Sequence, residues 1–359
     1  MKLTCSGSRR TEVASIELDR VSFQYRGARG EAIQNLSLQV EDKGTHALLG
    51  ASGAGKTTVL NLLSGLLQPS SGSILFGGRD VAGVPSGERQ VAQVFQFPVL
   101  YPRMTVQENL MFPLGNAGWK KADAAARAFE IARELGIENT LSSGVGALTV
   151  FERQLVAIGR ALVRPDVALV LLDEPLTAVQ PELKWRLRRV LHKVQSDLGV
   201  TMIYVTHDQT EALTFARAVS VMQGGRILQT GSPRDVYDLP DHQYVGFFIG
   251  SPGMNFLDAE VRHGRVRIDG IDVATTTATD GLCVVGFRAD WATLGADGLP
   301  VQVLGFRPDA VQNDLPVGVV VLERDQRKVH VRAQGRVEPG SAWLRLERHL
   351  LFREGCRVA

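Results

Sequence analysis

With 359 residues, 44% of them hydrophobic and 22% charged, the chain is long enough for two domains and apolar enough to bury a full core, which excludes a disordered polypeptide. Forty Lys and Arg against 38 Asp and Glu leave a formal net charge of +2, and no basic block or aromatic-studded basic stripe is present, so nucleic acid is not an expected partner. Three cysteines, Cys5, Cys283 and Cys356, stand far apart and odd in number, which suits a reducing compartment and argues against a disulfide framework or a zinc site.

The N-terminal MKLTCSGSRR has no apolar stretch beside its charges, so Cys5 is not expected to mark a lipoprotein or secretory signal. The first buried strand is expected at Ala47 to Leu49 in GTHALLG, which runs straight into GASGAGKTT at Gly50 to Thr58 and then the helical VLNLLSGLL. GASGAGKTT satisfies GxxxxGK[ST], and the flanking strand and helix disfavour a plain glycine-rich turn. In this setting Gly50, Ser52, Gly53, Ala54, Gly55 and Thr58 cradle phosphates, Lys56 reaches the β- and γ-phosphates, and the Thr57 hydroxyl holds Mg²⁺.

Between about 88 and 160 the chain reads as an inserted helical subdomain, with KADAAARAFEIARELG as its clearest helix and no strand punctuation. The next apolar run, Val167 to Leu172, is far shorter than the roughly 18 residues that span a bilayer, so a transport role needs other chains to cross the membrane. It ends in LLDEP, where Asp173 would bind Mg²⁺ through water and Glu174 would position the attacking water or take its proton. Strand-end acids before Pro175 are also common turn formers, and only the phosphate loop in the same chain favours the chemical reading. A third buried strand, Met202 to Val205, delivers His207 to where it could touch a γ-phosphate; alone, such a histidine is more often a cap or surface residue, and the same reserve applies to Gln96 in VFQFPVLYP. Strands alternating with helices predict an α/β domain with a largely parallel sheet, and after about Asp235 short alternating runs such as VRHGRVRID, GLCVVGFRA and RKVHVRAQG predict a small β-barrel domain.

In this order, Tyr25, GASGAGKTT, Gln96, a signature segment, LLDEP and His207 resemble the nucleotide-binding subunits of ABC transporters, over essentially the whole chain. The resemblance implies an α/β P-loop NTPase domain over residues 1–235 and an OB-like regulatory β domain over 236–359. It implies ATP and Mg²⁺ as cofactors, Tyr25 stacked on adenine with Phe23 as a competitor, and Gln96 as an Mg²⁺ ligand linking the site to membrane subunits. GSPRDVYDLPDHQYVGFFIGSPGMNFL and GFRADW (Gly286 to Trp291) are similar to the joint and barrel of sugar, polyol and glycerol-phosphate importer ATPases, although Ala289 replaces a proline. The implied partners are two transmembrane permease subunits and a periplasmic or extracellular solute-binding protein, with the chain peripheral on the cytoplasmic face of the membrane. Sugars, polyols including glycerol, and glycerol phosphate all remain open as cargo.

Two segments depart from that family. Where LSGGQ is expected, the chain has Leu148, Thr149, Val150, Phe151 and Glu152; LSSGVG at Leu141 to Gly146 lies too far from LLDEP to serve. The side chains of Val150 and Phe151 are expected to cover bare backbone, and Glu152 to place a negative charge near a partner's phosphate. After LLDEP an SxLD-like loop is replaced by Thr177, Ala178, Val179 and Gln180. In a head-to-tail dimer both departures fall on what the chain donates to its neighbour. A heterodimer with a second, different ATPase follows as the expectation, against a homodimer with two weak sites or a scaffold that binds ATP while its partner hydrolyses it.

Overall fold

The computed structural model describes residues 15–312 and 315–358; Cys5 and the N-terminal signal reading lie outside them. The chain divides into two compact units between Pro233 and Arg234.

The first unit opens with strands β1 (Ser15–Phe23) and β2 (Ile33–Glu41), followed by β3 (Thr45–Gly50), helix α1 (Lys56–Ser64), β4 (Ser71–Phe76) and β5 (Arg79–Asp80). Next come β6 (Val91–Val94), helices α2 (Val106–Asn116), α3 (Lys121–Leu135) and α4 (Val150–Leu162), and β7 (Leu169–Asp173). The unit is completed by α5 (Pro181–Leu198), β8 (Thr201–Thr206), α6 (Gln209–Phe215), β9 (Ala218–Gln223) and β10 (Arg226–Gly231). One sheet is antiparallel, in the order β2-β1-β4-β5; the other runs β10-β9-β3-β8-β7-β6 and is parallel except for β10. Every residue of β3 and β8 is buried, as a strand covered on both faces requires, and apolar residues of α1 join the two sheets in one core.

The helical insert differs from its sequence reading in one respect. Its first part is β6, the edge strand of the parallel sheet, paired with β7. VAQV is only four residues long, and it is mostly half-buried with Gln93 inside it, so it lacks the apolar run that marks β3, β7 and β8. Helices α2 to α4 then pack together, α3 turning its alanines Ala124, Ala128 and Ala132 inward.

Among its described residues, the second unit holds eleven strands, from Asn255–Arg262 to Cys356–Arg357, in two antiparallel sheets of six and five strands around one apolar core that includes Val285, Phe287, Leu299, Val320 and Val331. Within this unit Arg288 of GFRADW is buried and donates to the carbonyls of Tyr237, Gly246 and Ile249, tying the joint segment to the sheets. Cys283 is buried, Cys356 is exposed, and both are free thiols.

Candidate functional site

β3 ends at Gly50 and α1 begins at Lys56, so GASGAGKTT is the turn between a buried strand and a helix N-terminus. A β-carbon on Gly50 would lie 2.5 Å from the Met222 carbonyl oxygen, and Gly55, at φ 101°, would put one 2.8 Å from Ile33 Cδ1. These glycines are what lets the loop turn against β9 and β2. Helix α1 starts with no capping side chain and no acid in its first turn, leaving its N-terminal donors and the positive end of its dipole to an anion. By contrast α2, α4 and α6 each begin under a side-chain cap with an acid in the first turn. Ser52, Gly53 and Thr57 are exposed along the turn, while Ala54 and Thr58 are buried beneath it.

The Lys56 ammonium is tucked into the loop, donating to the carbonyls of Gly50 (2.8 Å) and Ala51 (3.0 Å). Burial lowers its proton affinity, and the charges of Glu174 and Asp173 act against that. Thr57 Oγ1 lies 3.5 Å from Asp173 Oδ1. The Asp173 carboxyl is pushed up, first by burial and then by Glu174 beside it, with the Thr57 hydroxyl and Lys56 pulling the other way. A hard cation between Thr57 and Asp173 would relieve that crowding, and hydroxyl and carboxylate oxygens are the ligands Mg²⁺ takes together with substrate phosphates, so these residues fit the ion.

Parallel pairing brings the remaining groups to one edge of the sheet. Asp173 is opposite Val205, two residues before His207, and Leu172 is opposite Val94, two residues before Gln96. The Glu174 backbone is held at φ 45°, a left-handed conformation unusual for a side-chain-bearing residue, while its N–H donates to the Val205 carbonyl at 2.9 Å. His207 Nδ1 lies 3.0 Å from Glu174 Oε2, and the Thr177 hydroxyl donates to the same oxygen at 3.1 Å. Gln96 follows β6 in a bend, half-buried. Tyr25 is 44% exposed with its hydroxyl 3.1 Å from Thr58 Oγ1, whereas Phe23 is 8% exposed and meets the Tyr25 ring edge-on at 4.8 Å. Of the two aromatics, only Tyr25 is presented for stacking.

The divergent segments take a definite form. Thr149 caps α4 and accepts from the Glu152 N–H (3.2 Å), while the Glu152 carboxylate accepts from the Thr149 N–H and hydroxyl, both at 2.8 Å. Those bonds hold the Glu152 carboxyl below its usual range, so it is ionised at neutral pH. The expectation that Val150 and Phe151 both cover the helix start is corrected for Phe151. It is 8% exposed, on the apolar face of α4 with Leu155 and Ile158, and lies under the Arg186 guanidinium at 5.5 Å. Val150 alone points outward, 42% exposed. LSSGVG is a loop whose Leu141 and Ser143 carbonyls accept the first N–H groups of α2, a local supporting role. Gln180 is exposed at the start of α5 and makes no side-chain cap there.

Sequence reasoning passed over three contributors. Thr149-x-x-Glu152 is a readable capping-box pattern, with the S/T-x-x-E/Q spacing that LSGGQ also carries. Thr177 donates to the Glu174 carboxylate, and Glu211 accepts from the Thr206 hydroxyl just before His207, both through side-chain directions that no spacing rule states.

Comparison with known proteins agrees with this geometry. Residues 33–177 match the family model described as ABC transporter. The oligosaccharides import ATP-binding protein MsmX of Bacillus subtilis is 36% identical over 305 residues, covering 85% of this chain and 80% of that protein. The sn-glycerol-3-phosphate import ATP-binding protein UgpC of Rhizobium meliloti is 39% identical over 285 residues, covering 79% of this chain and 80% of that one. Among solved structures, the dimeric ATP-binding cassette MJ0796 bound to ADP and Pi matches with a TM-score of 0.55 at 25% identity, over 61% of this chain and 99% of that one. With a phosphate loop, paired acids and a histidine gathered at one sheet edge, and relatives spanning most of its length, the chain belongs to the ABC transporter family as an import ATP-binding subunit.

Proposed function

We propose that this chain hydrolyses ATP to energise import of a small carbohydrate-like solute, whether sugar, glycerol or another polyol, or glycerol phosphate. It would act with two permease subunits and a solute-binding protein. Family membership carries ATP with Mg²⁺ as the cofactor, ATP hydrolysis as the reaction, and the cytoplasmic face of the membrane as the place of work. The observation that carries the catalytic assignment is the Glu174–His207 contact of 3.0 Å, one strand end away from Lys56 and Thr57.

In this reading Tyr25 stacks on the adenine, and the loop from Gly50 to Thr58, with Ser52, Gly53, Ala54 and Gly55, wraps the phosphates. Lys56 leaves its backbone carbonyls to neutralise phosphate charge. Thr57, Asp173 and Gln96 would hold Mg²⁺, which supplies further charge neutralisation on the phosphates. Glu174 takes a proton from water as the water oxygen bonds to the γ-phosphorus and the bond to the ADP oxygen breaks, and His207 keeps the Glu174 carboxylate aimed. We further assign residues 1–235 to the nucleotide-binding domain and 236–359 to a separate β module, OB-like and regulatory by the family resemblance; the division between Pro233 and Arg234 and the module's own core support the boundary.

We also infer a different ATPase as partner. The α4 N-terminus, with an ionised Glu152 in place of a neutral amide and the exposed Val150 side chain, is a poor clasp for a partner's phosphate. This chain's own phosphate loop keeps its full set of groups. Lys56→Ala or Glu174→Gln, measured in the transporter assembled with its membrane subunits, is expected to abolish ATP hydrolysis. Retained turnover would overturn the assignment.

A further inference from the structure

Glu174 and His207 sit at the ends of neighbouring strands, and each is followed by a helix: Glu174 by the loop to α5, His207 by α6. Those two helices are joined a short way downstream. Lys184, in the first turn of α5, places its Nζ 2.9 Å from Oε1 of Glu211 in the first turn of α6. Glu211 is 2% exposed, an uncommon environment for a carboxylate, and its carboxylate bonds only to α5 and to β8, the strand that leads to His207. Its Oε2 accepts from the Tyr204 hydroxyl and from the Thr206 hydroxyl, both at 2.9 Å. Thr206 Oγ1 in turn accepts from the Asp208 N–H at 2.9 Å, and Asp208 Oδ1 accepts from the N–H groups of Thr210 and Glu211 itself. The residues on both sides of His207 are therefore anchored to one buried carboxylate. Burial, and then that carboxylate, hold the Tyr204 hydroxyl well above its usual range, so it stays a donor.

We propose that Lys184 and Glu211 are positioning residues that close a ring, running from Glu174 through α5 to Lys184, across to Glu211, and back through α6 to His207 and its 3.0 Å contact with Glu174. The pair fixes the spacing between the general base and its orienting histidine. It also ties that spacing to α5, the helix that follows the Thr177–Gln180 loop. A surface ion pair would have little leverage of this kind, but Glu211 is nearly closed to water, and losing Lys184 would leave its Oε1 without a charged partner, which couples the two helices.

The inference rests on the catalytic assignment of Glu174 and His207, and the experiment separates the two. In the assembled transporter, Lys184→Met keeps the aliphatic stem and removes the charge, Lys184→Arg restores a charge, and Glu211→Gln keeps an acceptor for Tyr204 and Thr206. Lys184→Met is expected to lower kcat about tenfold or more, as a small misplacement of a catalytic group does, with the KM for ATP and the Kd for ADP unchanged. Lys184→Arg should recover most of the rate. Glu211→Gln should match Lys184→Met, and the double variant should be no worse than either alone, since one interaction is lost. If Lys184→Met keeps kcat within twofold, or loses ATP and ADP affinity in parallel with rate, the ring plays no positioning role. Should Lys184→Met misfold, Glu211→Gln carries the same two readouts. If His207→Ala and Glu174→Gln retain turnover, the catalytic assignment itself has failed, an outcome distinct from failure of the ring.

Discussion

At the scale of single residues, Asp173 is held where its charged form is disfavoured. Burial and the adjacent Glu174 raise its carboxyl above the ordinary aspartate value, against the smaller pull of Thr57 and Lys56. A carboxyl whose folded pKa exceeds its unfolded one binds its proton more tightly in the folded chain. Stability therefore falls as pH rises from the unfolded value, about 3.9, through the folded one, and the penalty persists in full above that window. Wherever Asp173 is ionised, its charge works against folding. Asp173→Asn is accordingly expected to raise the Tm of the nucleotide-free and metal-free subunit at pH 7, with the gain vanishing in acid where the native side chain is protonated. The same variant should lose the additional Tm increase that Mg²⁺ with ATP gives the native chain, because ligand stabilisation scales with the affinity it removes. Calorimetry at two pH values, with and without Mg²⁺ and ATP, measures both, and a lower Tm for the variant at pH 7 would contradict the argument.

At the scale of elements, α1 and α4 are opposite solutions to the same helix end. The first leaves its N-terminal donors to a phosphate; the second occupies two of its own, the N–H groups of Thr149 and Glu152, in a capping box. Thr149→Ala should therefore destabilise the nucleotide-binding unit by about 1 kcal/mol, the usual worth of a lost N-cap. Glu152→Gln, which still offers an oxygen to the Thr149 N–H, should cost less, and urea unfolding midpoints in that order are the check. What the sequence made legible follows from the same local chemistry. GASGAGKTT and the strand ends at Asp173 and His207 could be read because glycine geometry and runs of buried apolar residues are written in consecutive letters. Tyr25 could not be separated from Phe23, since both lie beside the same strand and only packing sends Phe23 into the core. β6 was hidden by its brevity. Phe151 was misjudged because its inward direction depends on the apolar face of α4 and on Arg186 from a distant helix. The Lys184–Glu211 ring joins residues 27 apart through side chains alone, which no motif or period encodes.

At the scale of the whole molecule, the unequal helix ends bear on how two ATPase chains pair. In the head-to-tail dimer that the family resemblance implies, each chain would offer a helix N-terminus to its neighbour's ATP, and here that end carries an ionised carboxylate and an exposed Val150. Placing Glu152 against a γ-phosphate sets like charges together. The same neighbour would meet Gln180 in place of an acid. Two copies of this chain should consequently close poorly around ATP even when hydrolysis is blocked. With Glu174→Gln to prevent turnover, the chain alone in ATP and Mg²⁺ is expected to run as a monomer in size-exclusion chromatography with light scattering. Adding Val150→Gly, Phe151→Gly, Glu152→Gln and Gln180→Asp to that background should produce an ATP-dependent dimer, despite a loss of fold stability from removing Phe151 from beneath Arg186. A second ATPase chain with an LSGGQ segment should give the same dimer with the unrepaired Glu174→Gln chain. Ready dimerisation of that chain by itself would show that an acidic, Val150-covered α4 end still clasps nucleotide, and the pairing with a different ATPase would then have no physical basis.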